Sequence, residues 1–418
     1  MASNSRTRVI SQAKAVYVTP TGWDASSFNS LDARQLHGVD TFSYEIDLAG
    51  SRQDVREFGQ LARVGTVRLS EINPTLSFGY YLADGGNEIN LGFTESLATG
   101  EQALKGMLEE NAYLNESNIF VLTAKEGSDA FGDANQTAFD AAEADHDTVG
   151  FGNCFLSSYS INLSVGEIPR ADVEMQASNV VFYEDAHKGL ISPSLNLDGS
   201  RAEPTNTANI DLRQPTVMSD LTSTLKVLKP SDVTIEFADN EGVTYKADGT
   251  SIGGQKIGTT NPGTLKAIQS LSIDVPMSRE VIDAVGSEIA YAKPLDFPID
   301  VTLSISALVS EFAEGALEYA LTGSAGDNKT DITVDLKSYS TTEMKFVLKG
   351  AVLDSQSFSQ GLDDNETVDL TFSAQIGGAT TTDQGFFMTT LTTSQNVRSA
   401  ANDVAVRDTS DATQPITH

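Results

Sequence analysis

The stretch EIDLAGSRQDVREFG, from Glu45, returns from Ser272 as SIDVPMSREVIDAVG, and a chain that repeats itself is constrained to fold the same way twice. A shift of 227 positions lays Ser43 on Ser270, Ile46 on Ile273, Asp47 on Asp274, Ser51 on Ser278, Arg52 on Arg279 and Gly59 on Gly286. Without a gap the same register reaches TLSF and TLSI, where Thr75, Leu76 and Ser77 meet Thr302, Leu303 and Ser304. Apolar character is kept between the identities, with Leu48 on Val275, Val55 on Ile282 and Phe58 on Val285. The pattern is that of a tandem duplication, and 418 residues suit two domains of roughly 100–200 residues each.

Strand signals dominate both halves. DVTIEFAD, PIDVTLSISAL, SYSINLSV and TVDLTFSAQI alternate large apolar residues with Ser, Thr or Asp, as antiparallel strands with one buried face do. Late strands pair off between the halves: NIFVLTA with TDITVDL, and FLSSYSINLSVG and ADVEMQASNVVF with MKFVLKGAVLDSQSFS and ETVDLTFSAQI. The repeated motif itself reads as a strand over Ser43–Leu48, a turn, and a short helix. Ser51 or Ser278 would cap that helix, Val55 with Phe58 or Ile282 with Val285 would face the core, and Gly59 or Gly286 would end it. A second helix is expected in GEQALKGMLEENAYL, through Ala103, Leu104, Met107 and Leu108, with SEFAEGALEYAL as its counterpart. The predicted organisation is an N-terminal arm (1–15), a first domain (16–184) with an acidic insertion (125–150), and a Pro- and Asn-containing linker (185–229). A second domain (230–395) and a polar tail (396–418) follow. Each domain is a β-sandwich with one or two short helices.

Composition excludes more than it selects. The formal charge of −31 keeps the chain soluble and repels nucleic acid, since no Lys/Arg cluster is present to hold phosphate. No apolar run approaches the length of a membrane span, and no apolar stretch follows the two early arginines, so folding in a cytoplasm is expected. Cys154 has no partner for a disulfide and reads as a small buried hydrophobe. His37, His146, His187 and His418 are scattered without ligand spacing, and the acidic EADHD around His146 lacks the order of a calcium loop. No phosphate-binding, dinucleotide-binding or nucleophile-elbow motif occurs, and no pair of carboxylates stands out; neither an enzyme nor a cofactor is expected.

SRQDVREFGQLARV followed by INPTLSFGYYLADGGNE resembles the major tail tube proteins of long-tailed bacteriophages, in the type that carries the domain twice. GFGNCFLSSYSINLSVGEIPRADVEMQASNVVF and LKGAVLDSQSFSQGLDDNETVDLTFSAQIGG are similar to the same family, and the resemblance covers roughly 40–183 and 230–378. It implies β-sandwiches whose inner sheets join around a ring into a closed β-barrel. Stacked rings then form a tube that conducts the genome. Three two-domain chains would replace six single ones, because head-to-tail contacts must close. The implied partners are the chain itself, a tape-measure protein and tail tip and terminator proteins, with DNA passing through unbound. The implied location is the virion, after assembly in the host cytoplasm. Another β-rich virion or surface module (a decoration, baseplate, adhesion or secretion-tube protein) is the alternative. Asp47, Arg52, Asp274 and Arg279 are the candidate structural residues, either as local ion pairs (Arg52 with Asp47, Arg279 with Asp274) or as bridges to a neighbour's acid.

Overall fold

The structure, a computed structural model, describes residues 14–20, 34–47, 52–68, 73–83, 85–93, 101–108, 116–124, 146–184, 190–200, 210, 212, 228, 233–238, 255–257, 268–287, 289–308, 329–338, 341–359, 367–378 and 380–390. The counterpart helix segment SEFAEGALEYAL, most of the acidic insertion and the C-terminal tail lie outside these residues.

The described chain is mostly β. Its strands are β1 (Lys14–Pro20), β2 (Arg34–Leu36), β3 (Val39–Glu45), β4 (Arg52–Val55), β5 (Gly65–Arg68), β6 (Thr75–Tyr81), β7 (Glu101–Gln102), β8 (Ser117–Ala124), β9 (His146–Ser164), β10 (Arg170–Gln176) and β11 (Asn179–Tyr183). They continue as β12 (Val233–Ala238), β13 (Gln255–Ile257), β14 (Ile268–Pro276), β15 (Asp300–Leu308), β16 (Lys329–Ser338), β17 (Thr341–Ser359), β18 (Thr367–Gln375) and β19 (Gly385–Thr390). Two short helices, α1 (Gly86–Asn90) and α2 (Lys105–Leu108), are the helical elements among the described residues.

One order of antiparallel pairings occurs twice. In the first set β2 pairs β1, β1 pairs β8, β8 pairs β9, and β9 pairs both β11 and β10; β10 then pairs β6, and β6 pairs β3. In the second set β13, β12, β16, β17, β19, β18, β15 and β14 take the same places in the same order. The two long strands hold each set together. β9 and β17 are both 19 residues long, and each passes from one group of neighbours to another midway. The change of direction needs a left-handed residue at one place: Asn153 (φ 52°) in β9 and Gly350 (φ 65°) in β17, 197 positions apart. Asn and Gly are the residues that adopt this conformation at least cost. The bulged residues Ser157 and Asp354 are also 197 apart, so the two strands correspond residue by residue.

The repeated motif is not a strand followed by a helix. Residues 52–68 and 279–295 each form a two-stranded hairpin, with Arg52 opposite Arg68 and Arg279 opposite Leu295. Gly59 (φ 96°) and Gly286 (φ 93°) turn the hairpin tips rather than end helices. Phe58 and Val285 do not face the core; they are 106 % and 109 % exposed. Two apolar residues three apart fit one face of a helix, but they fit an exposed turn as well when no apolar partner exists within reach. The 227-position shift holds in the hairpins and between β6 and β15, but not in the strands before the hairpins. There the bulged residues Asp40 and Gln269 lie 229 positions apart. Glu45, not Asp47, therefore corresponds to Asp274, and two extra residues sit in the link between β3 and β4.

Of the helix expected around 100–114 the described residues are 101–108: Glu101–Gln102 form β7 and Lys105–Leu108 form α2, with Ala103, Leu104 and Met107 buried. Gly85 leads into α1, which begins at Gly86. The insertion expected to run to 150 stops short of His146, which begins β9 and is buried. Part of the expected linker docks on the first set of strands: Leu190 and Ile210 bridge each other and bury with Leu212 against Tyr17, Phe120 and Leu122. Pro193 presses on β9, where a side chain at Gly152 would meet the Pro193 carbonyl oxygen at 2.2 Å. Cys154 is fully buried, as expected, and burial pushes its thiol pKa up.

Candidate assembly interface

The two sets of strands meet at one ladder. Ser270–Pro276 of β14 pair antiparallel with Ser158–Ser164 of β9, with Ile273 opposite Ile161, Val275 opposite Tyr159 and Asp274 opposite Ser160. The ladder is extended by Val165 N–H donating to the Gln269 carbonyl (3.0 Å) and Met277 N–H donating to the Ser157 carbonyl (2.9 Å). Eight strands thereby run side by side as β3–β6–β10–β9–β14–β15–β18–β17. Strict alternation gives this sheet two unlike faces. One carries Phe78, Val173, Tyr159, Val275 and Leu303 into the core. The other carries Ser, Thr and Asn with the acids Glu45, Asp172, Glu174, Asp274, Asp300 and Asp369. Arg170 is the one base at these alternating positions, and it is tied to Asp172 (2.7 Å) and Asp40 (3.3 Å).

The base of the second hairpin locks the ladder. Arg279 Nε donates to the Leu156 carbonyl (2.9 Å) and Nη1 donates to the Lys293 carbonyl (2.8 Å). Its guanidinium stands 5.2 Å from the centre of the Phe155 ring, and the Lys293 ammonium stands 5.6 Å from the same ring. Lys293 is buried, with Nζ donating to Asn73 Oδ1 (3.1 Å) and Ser178 Oγ (3.3 Å). Burial lowers the Arg279 pKa to about 10, so the group remains a cation at neutral pH.

Of the four residues singled out in the sequence, Arg279 alone lies in this lock, and its partners are carbonyls rather than Asp274. Asp274 sits on the polar face opposite Ser160 and Thr302, and partial burial raises its pKa. Asp47 and Arg52 flank the link from β3 to β4, both exposed. Lys293 and Phe155 were not legible as a pair, because 138 positions separate them and neither stands in a motif.

The ladder also shows what the outer strands lack. β3 occupies the place of β14, and the end of β17 occupies the place of the end of β9. Among the described residues β3 is paired along one edge only, to β6, and Leu353–Ser359 of β17 along one edge only, to β18. The apolar side of β3 is correspondingly open: Tyr44 is 45 % exposed where its counterpart Ile273 is 0 %. Among the described residues the sheet does not close into a barrel within one chain.

Away from the ladder, Glu88 of α1 is buried and accepts hydrogen bonds from Tyr80 Oη (2.8 Å) and Tyr159 Oη (3.0 Å). Burial first, and then the carboxylate, raise both tyrosine pKa values. Among the described residues no group of three or more His, Cys, Asp or Glu is placed to hold a metal ion, and no helix is long and apolar enough to cross a membrane. The chain matches no protein-family model, and no curated protein is significantly similar to it.

Proposed function

We propose that this chain is a non-enzymatic structural subunit, built of two tandem β-sandwich units, that assembles head to tail into rings and stacks into the tail tube of a long-tailed bacteriophage. The observation that carries the reading is the β9–β14 ladder. It is a heterologous contact already made once inside the chain, and both of its halves recur at the outer edges, unpaired there among the described residues. Repeating a heterologous contact yields a ring or a filament, and it consumes the exposed edges that would otherwise aggregate.

Three chains would bring twenty-four strands to one barrel, eight from each. With strands ~4.8 Å apart and tilted by ~40°, its diameter is about 48 Å. Side chains reaching in by ~5 Å from each wall leave a bore of about 38 Å, wide enough for a DNA duplex. The polar face of the eight-stranded sheet would line that bore. Hydroxyls and carboxylates offer a polyanion no anchorage, and Arg170 is already neutralised, so DNA would slide without specific binding. A tape-measure protein and tip and terminator proteins would be the further partners, and the assembled virion the location.

Carried to the chain-to-chain seam, the internal register places Tyr44 of one chain opposite Phe358 of the next. The test is a chain bearing Tyr44→Cys and Phe358→Cys, since facing Cβ atoms across a ladder are close enough for a disulfide and Cys154 is buried. Oxidised material should give covalent oligomers stopping at three times the 44.5 kDa chain mass, and images should show hollow rings of six similar lobes. A monomer at every concentration, with no cross-linking, refutes the assembly; open filaments refute the closed ring.

A further inference from the structure

We propose that Arg52 is the clasp of the seam between chains, docking its guanidinium on the main-chain carbonyl of Leu353 in a second copy of this chain. The inference rests on the assembly proposed above and adds the residue that holds it.

The two hairpins match contact for contact. Val55 lies opposite Gly65 as Ile282 lies opposite Ala292, and Val64 N–H donates to the Val55 carbonyl (2.9 Å) as Tyr291 N–H donates to the Ile282 carbonyl (2.8 Å). Arg52 therefore occupies the place of Arg279 at the base of its hairpin. The acceptor recurs too. Leu156 immediately precedes the bulged Ser157 in β9, and Leu353 immediately precedes the bulged Asp354 in β17. The difference is occupancy. Arg279 is engaged with its carbonyl, whereas Arg52 is exposed, as is Val352, which stands where Phe155 underlies Arg279.

The seam between chains is nevertheless not a copy of the one within. Val352 supplies no ring for a cation, and Thr66 stands where Lys293 is buried. The acceptors of Lys293, Asn73 and Ser178, correspond to Asp300 and Gln375, which are hydrogen-bonded to each other (3.2 Å). Of the two cations and the aromatic ring that lock the inner seam, the outer seam keeps a counterpart of Arg279 alone, which is Arg52. Arg52 is therefore the residue on which assembly turns, and a lysine at position 66 would face an acid ready to receive it.

The experiment is the concentration dependence of assembly of the full chain, followed by sedimentation, for wild type, Arg52→Ala and Thr66→Lys. Arg52→Ala should raise the concentration for half-assembly about tenfold or more, the scale of one charge-assisted hydrogen bond, without shifting monomer melting. Thr66→Lys should lower that concentration. Wild-type assembly with both variants unchanged overturns the clasp and leaves the ring standing. Wild type that never assembles overturns the ring and the clasp together.

Discussion

Replacing Arg279 by methionine isolates what the lock contributes to the union of the two strand sets. Methionine keeps an unbranched apolar stem over Phe155 but supplies no donor, so the carbonyls of Leu156 and Lys293 lose bonds of 2.9 and 2.8 Å in a site from which water is largely excluded. Each unsatisfied carbonyl costs about 1–3 kcal/mol, and loss of the cation over the ring adds about 1 kcal/mol. Relief from burying a cation offsets part of this, leaving a net loss of about 3 kcal/mol. The pH dependence is fixed by the same burial. Because the folded pKa is lowered, to about 10, stability tied to this group rises only as pH climbs through that value and is flat below it. Urea unfolding followed by circular dichroism, on chain dilute enough to be monomeric, should give the same deficit from about pH 5 to about pH 9. A deficit under about 1 kcal/mol, or one that varies across that range, refutes the assignment of Arg279 as the lock.

Glu88→Ala should cost about 2–5 kcal/mol, because it removes the carboxylate that accepts from two buried tyrosine hydroxyls. Tyr80→Phe should cost less, and the pair of changes should be clearly non-additive in a double-mutant unfolding cycle. For Asp274, partial burial raises the folded pKa, so the folded chain holds this proton more tightly than the unfolded chain does. The stability so gained is present in acid and lost as pH rises through the carboxylate range. Asp274→Asn should therefore melt higher than wild type at neutral pH, with the difference closing in acid; a constant difference would show that burial of the charge is not its origin.

The strands were legible because alternation is a local property. SYSINLSV, PIDVTLSISAL and TVDLTFSAQI needed only their own residues to declare a buried face, and all three lie in the eight-stranded sheet. The hairpins were misread for a related reason. Val55 and Phe58 satisfy helical spacing, and nothing local says that Gly65 to Arg68 pair back on Arg52 to Val55, put Phe58 in the turn and leave both exposed. The repeat was visible but its register was not uniform. β6 and the hairpins keep a shift of 227, β3 a shift of 229, and β9 a shift of 197, because ladders conserve pairing while connections change length. A gap-free match therefore joined Asp47 to Asp274, although Glu45 holds the equivalent place. The lock was illegible in a stronger sense. Arg279 repeats and could be singled out, but Lys293 and Phe155 acquire meaning only when β14 lies against β9.

The net charge of −31 and the fold meet on one sheet face. Alternation obliges every strand that buries a core residue to present its neighbour to the other side, so the eight strands that make the ladder also decide what that side offers a solute. Here that choice is small hydroxyls interspersed with acids. A hydroxyl hydrogen-bonds a phosphate oxygen no better than water does, and an acid repels it, whereas each paired lysine or arginine would release counterions and add affinity. Arg170 could do so in isolation, but Asp40 and Asp172 hold it within 3.3 Å and cancel its charge locally. If the proposed ring closes with this face inward, threefold repetition multiplies the acids without creating a basic foothold. Friction on a passing duplex is then lowest where the surface is most uniformly unattractive. Substituting basic residues for Asp172, Asp274 and Asp369, while leaving the buried face untouched, should leave assembly intact and make the tube retain DNA in a salt-dependent way.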